Sequence, residues 1–105
     1  MLKLHKRPSA KRDLIAHYVY LTEQAGIETA DRFLLSVEQS FADLLRRPGI
    51  GMVLALRRRE LSGLRKWRVS GFEKFLIFYV RRAGYLSVLR VMHATQDWWD
   101  LLGMK

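Results

Sequence analysis

Arg90, His93 and Asp97 stand close together near the end of the chain and are side chains of the types that cleave RNA. A cation can hold a phosphate, an imidazole can move a proton, and a carboxylate can act as base. Cleavage requires all three to converge on one phosphate. Arg90 falls in YLSVLRVM, Tyr85 to Met92, which reads as a returning strand, and His93 follows just where that strand should stop. On an undisturbed strand Arg90 shares a face with Leu86, Val88 and Met92, and His93 shares the other face with Leu89 and Val91. A bulge could bring the two together. The alternative is that His93 hydrogen-bonds backbone where the strand ends.

The remaining candidates are basic or aromatic. Arg65, Lys66, Arg68, Arg81, Arg82 and Arg90 lie on predicted strands or their turns, which suggests an electropositive surface around the sheet. Trp98 and Trp99 are adjacent, so both cannot easily face a core, and one is a candidate anchor for a partner. Neither a phosphate-binding glycine loop nor a His-Glu-x-x-His pattern is present, and there is no cysteine. His5, His17 and His93 are too scattered for a zinc site, so neither metal nor cofactor is expected. His17, beside a helical stripe, reads as a surface or boundary residue.

These residues need a scaffold, and the periodicity supplies one. Residues 2–6 alternate as a first strand closed by Pro8. Ser9 is a candidate cap for a helix with Leu14, Tyr18, Leu21 and Ala25 as its apolar stripe, widened by Ile15. Gly26 ends it. A second helix carries Ala30, Phe33, Leu34, Val37, Phe41, Leu44 and Leu45 and stops before Pro48. The short link implies an antiparallel helical hairpin. Residues 48–64 read as an exposed loop with a short extended piece, and Arg57-Arg58-Arg59-Glu60 is its charged stretch. From Leu64 the period becomes two. Arg65, Trp67 and Val69 alternate with Lys66 and Arg68, Ser70-Gly71 turns the chain, and Phe72 to Arg82 reads as a central strand covered on both faces. Ala83-Gly84 is a hairpin turn, and Thr95 is a candidate cap for a short last helix through Trp98, Trp99 and Leu102. The expected fold is α+β, in the order β-α-α-β-β-β-α, with the helical hairpin on a small, mostly antiparallel sheet.

With 105 residues the chain is expected to form one domain. It has 19 Lys and Arg against 10 Asp and Glu, a net charge of +9, which calls for an acidic partner. No apolar run is long enough to span a bilayer, no secretory signal opens the chain, and the lack of cysteine fits a cytoplasmic protein.

The stretches SAKRDL, ADRFLLSVEQSFADLLRRPGIG, LRKWRVSGFEKFLIFYV and LRVMHATQD together resemble the ParE branch of the RelE/ParE toxin superfamily of bacterial type II toxin-antitoxin modules. The resemblance covers nearly the whole chain. It implies a small basic toxin of a plasmid-stabilisation type module, neutralised by an acidic, ParD-like antitoxin. RelE-like members are ribosome-dependent mRNA endonucleases, whereas ParE-like members are associated with inhibition of DNA gyrase. Arg65 matches a position that is basic in both branches. Arg90, His93 and Asp97 match the ParE-like end motif, Gln96 replaces the Arg usual there, and the Tyr common in the nucleases is missing. The resemblance therefore implies a binding protein without catalytic residues, with an mRNA endonuclease as the alternative and an inactive, antitoxin-binding relative as a third reading. Assembly as a homodimer or as a hetero-oligomer with the antitoxin stays open.

Overall fold

The computed structural model describes residues 2–54 and 59–96. The elements run β1 (Lys3–Lys6), α1 (Pro8–Ala25), α2 (Ile27–Arg46), β2 (Met52–Val53), a 3-10 turn (Arg59–Leu61), β3 (Arg65–Val69), β4 (Phe72–Arg82) and β5 (Tyr85–His93). They form an α+β fold with a five-stranded sheet in the order β1-β5-β4-β3-β2. Among the described residues only β1 and β5 pair in parallel. The expected last helix with Trp98, Trp99 and Leu102 lies outside the described residues, as do Asp97, Arg57 and Arg58.

Gly26 alone separates the helices and takes a positive φ of 93°, which glycine adopts without a Cβ penalty. The α2 stripe is buried as its period demands, with Ala30, Phe33, Val37, Phe41 and Leu44 all at or near zero exposure. Phe33, Val37, Phe41 and Leu44 meet Val69, Phe75, Ile77, Tyr79, Leu86, Val88 and Val91 from one face of the sheet. On the opposite face Phe78, Val80, Leu89 and Met92 are covered by Leu61 and Leu64. Burial on both faces explains the unbroken apolar run of β4.

Three expectations need correction. Ser9 does not cap α1; the helix starts at Pro8 after Arg7 without a side-chain cap, because the Ser9 hydroxyl bonds to β5 instead. Ile15 does not widen the buried stripe but stands 66% exposed, while Leu14 and Leu21 pack against the core. The 48–64 segment holds the expected short extended piece, β2, but it is not wholly exposed. Its two-residue β2 pairs with Arg65 and Lys66, and its Leu61 and Leu64 are buried. The Gly51 N–H donates to the Tyr79 hydroxyl, which donates to the Pro48 carbonyl, tying the segment to the central strand.

Candidate functional site

β1 covers the outer edge of β5 only as far as Val88. Beyond that point a bare strand edge would leave buried backbone groups without partners. Helix α1 supplies them. Ser9, Asp13 and His17 recur every four residues and therefore form one polar stripe along the helix. The Ser9 hydroxyl donates to the Leu89 carbonyl at 2.8 Å. Asp13 Oδ2 accepts the Val91 N–H at 3.0 Å, and His17 Nε2–H donates to the Val91 carbonyl at 2.7 Å. In effect the helix side chains continue the edge where β1 stops.

Arg90 joins this arrangement. Its Nε donates to Asp13 Oδ2 at 2.7 Å and its Nη2 to Oδ1 at 2.8 Å, a two-pronged pair with side chains only 20% and 12% exposed. The bond to Asp13 raises the affinity of the guanidinium for its proton, against a smaller opposing effect of burial. The bulge considered from the sequence does exist, but it lies upstream of Arg90. Tyr79 faces Val88 and Phe78 faces Arg90, so Leu89 is the extra residue. The bulge explains why Val88 and Val91, three apart, both enter the helix-side core. It does not unite Arg90 with His93, since the strand alternates again from Arg90 onward.

His93 faces Phe75 across the sheet, and the two rings meet edge-on at 5.0 Å. Its Nδ1 accepts the Thr95 N–H at 3.2 Å and lies 2.7 Å from Thr95 Oγ1. The Gln96 side chain accepts the His93 N–H at 2.7 Å, so Gln96 closes the turn that ends β5. His17 is half-buried, the boundary position of the two expected for it, edge-on to Phe75 at 4.9 Å and to Phe33 at 6.2 Å. Burial lowers its pKa below 6.5; the Val91 carbonyl and Asp13 oppose the shift, and the His93 and Arg90 charges add to it. His17, Phe75 and His93, with Ala16, Tyr20, Thr95 and Gln96, line a cleft of about 390 Å³.

The other predicted basic residues do not converge on this cleft. Arg65 turns its guanidinium onto the Gly49 and Gly51 carbonyls at 3.1 and 2.7 Å, clamping the turn before β2. Arg68 is exposed and lies over the Trp67 ring at 4.4 Å. Arg81 is exposed near the β4–β5 turn, and Arg82 donates to the Ser62 carbonyl. Lys66 is half-buried and faces Phe78. Arg81 and Phe75, the residue opposite His93, are separated along β4 by roughly 20 Å at strand spacing. Asp13 was the residue that sequence reading missed. The signal was present as a polar stripe, Ser9-Asp13-His17, beside an apolar one. Among the described residues no group of three or more His, Asp or Glu side chains is placed to hold a metal ion, and no helix is long and apolar enough to cross a membrane.

Residues 4–98 match the family model for the ParE toxin of type II toxin-antitoxin system, parDE. No curated protein matches the chain by sequence. Among solved structures, a chain from the chromosomal ParDE TA system of P. aeruginosa is similar, with 22% identity and a TM-score of 0.71 over 89% of this chain and 96% of that one. At that identity the structural likeness speaks for the fold. The family match, in contrast, runs from β1 through the Asp13–Arg90 pair to the turn after β5. This chain therefore belongs to the ParE toxin family of type II toxin-antitoxin systems.

Proposed function

We propose that the protein is a toxin that acts by binding, with DNA gyrase as its target, and that an acidic antitoxin neutralises it. The observation that carries the binding reading is the Asp13–Arg90 pair. A cation meant to steady a cleaved phosphate must offer its donors to the substrate. Two donors of Arg90 are held by Asp13, and the carboxylate also secures the edge of β5. His93 is likewise occupied at Nδ1 by the turn that follows it. Among the described residues Arg90 and His93 lie on opposite faces of β5 and do not meet, and Arg65, the basic residue common to both branches, faces turn carbonyls. The antitoxin reading draws on the family and on the charge of +9, which favours fast capture by an acidic chain.

The test separates the two mechanisms. Purified protein added to gyrase and plasmid DNA is expected to block supercoiling or trap cleaved DNA, and to leave mRNA on translating ribosomes intact by primer extension. Codon-positioned cuts that vanish in His93→Ala, with gyrase unaffected, would replace the binding reading with an mRNA endonuclease. Activity in neither assay, with antitoxin binding retained, would mark an inactive relative.

A further inference from the structure

Helix α1 carries a second stripe that the sheet does not use. Lys11, Ile15, Val19 and Glu23 recur at four-residue intervals and so lie in line along the helix. Lys11 and Glu23 are exposed, and Ile15 and Val19 remain 66% and 49% exposed despite being aliphatic. Beside them an apolar groove of about 240 Å³ runs between the helices, lined by Leu14, Ile15, Tyr18, Val19 and Leu34. Neither Lys11 nor Glu23 makes an ion pair among the described residues.

The order of the stripe is cation, aliphatic, aliphatic, anion. Reversed, it meets its own complement. When two copies lie antiparallel about a two-fold axis through the middle of the stripe, Lys11 faces Glu23 of the second copy and Ile15 faces its Val19, and the remaining two contacts follow by symmetry. A uniformly acidic partner would be drawn to Lys11 and repelled by Glu23, so the mixed stripe fits a second copy better. We infer that the exposed side of α1 is a self-association surface whose occupant is a second copy of this chain. The stripe spans only about 18 Å of helix, so the dimer is small, reversible and dependent on concentration. Its ion pairs are exposed and weaken with salt. The Ser9-Asp13-His17 stripe is engaged with β5 and takes no part.

Sedimentation equilibrium on the purified chain over a range of concentrations tests this. The native protein is expected to show a monomer–dimer equilibrium. By symmetry Lys11→Glu turns two attractive contacts repulsive and should weaken association at least about tenfold. Glu23→Lys should do the same. An equimolar mixture of K11E and E23K chains should regain association, and so should the double variant K11E/E23K, because opposite charges face each other again. All positions are exposed, so circular dichroism should report an unchanged fold. A native chain that stays monomeric at submillimolar concentration overturns the inference. So does a dimer indifferent to both single reversals, or single reversals that neither the mixture nor the double variant rescues.

Discussion

The Asp13 carboxylate grips Arg90 through two parallel N–H···O bonds and with the same group accepts the Val91 N–H, so one side chain of α1 fixes both the charge and the backbone of β5. The relationship turns a residue expected on a toxin surface into part of the frame. It also explains how the bulged strand keeps its edge covered after β1 has ended.

Removing either partner should therefore unfold more than it disarms. Asp13→Ala takes the Asp13 oxygens away from a partly buried guanidinium and a backbone N–H, at a cost of about 2–4 kcal/mol. Asp13→Asn keeps one acceptor and should cost less. Urea denaturation of Asp13→Ala, Arg90→Ala and the double variant should give a coupling energy well above zero. A purely additive cycle would contradict the geometry.

His17 should make stability fall in mild acid. Burial lowers its folded-state pKa below 6.5, so the unfolded chain binds the proton more readily. Its contribution is complete above pH 6.5 and is lost as pH drops from there toward the folded-state value. His17→Gln can keep a donor for the Val91 carbonyl but does not titrate. Urea midpoints compared at about pH 7.5 and about pH 5.5 should differ less for this variant than for the native chain. Equal shifts in both would remove His17 as the cause.

The β2 approach depends on Gly51. A Cβ there would stand 2.5 Å from the Tyr79 hydroxyl and 2.9 Å from the Lys66 carbonyl, which belongs to backbone and cannot easily yield. Gly51→Ala should cost about 1–3 kcal/mol. Tyr79→Phe removes the bonds to Pro48 and Gly51 and should cost a similar amount. Thermal melts of the two variants decide this, and an unchanged melting point in either would refute the contact.

The basic residues should separate by role. Arg68 and Arg81 are exposed, and their alanine variants should change stability by less than about 0.5 kcal/mol. Arg65→Ala should destabilise, since it frees the Gly49 and Gly51 carbonyls. If growth inhibition falls in Arg68→Ala or Arg81→Ala while the melt is unchanged, that residue belongs to the target surface. An Arg65→Ala variant as stable as the native chain would show that its clamp contributes nothing.

Association with an acidic antitoxin should slow strongly with salt, since screening removes the steering by a net charge of +9. Once formed, the complex should resist moderate salt, because an ordered tail also needs apolar contacts. Stopped-flow rates and dissociation rates across a salt series measure both. Dissociation at moderate salt would make the contact mainly ionic. An extended antitoxin segment adding to the outer edge of β3 would find that edge already shared with β2 at Arg65 and Lys66, and the Leu64 carbonyl accepts the Leu54 N–H. Among the described residues β2 leaves only Trp67 to Val69 for such pairing.

The sequence alone determined the elements that repeat. The 3.6-residue stripe of α2, the unbroken run of β4 and the hairpin at Ala83-Gly84 each depend on neighbours close in sequence, and the periodicity records them directly. The family, too, was legible from the order of short stretches. Only the tertiary structure decided what Arg90, Arg65 and His17 do. Their partners, Asp13, the Gly49–Gly51 turn and Val91, lie on distant segments. The bulge at Leu89 was equally hidden, because one extra residue in a strand leaves no trace in alternation that the next apolar residue does not blur. A charged or titratable side chain has the same local pattern whether it faces a partner or completes a sheet edge. The choice is made by which backbone groups the fold leaves unpaired, and that follows from where β1 ends.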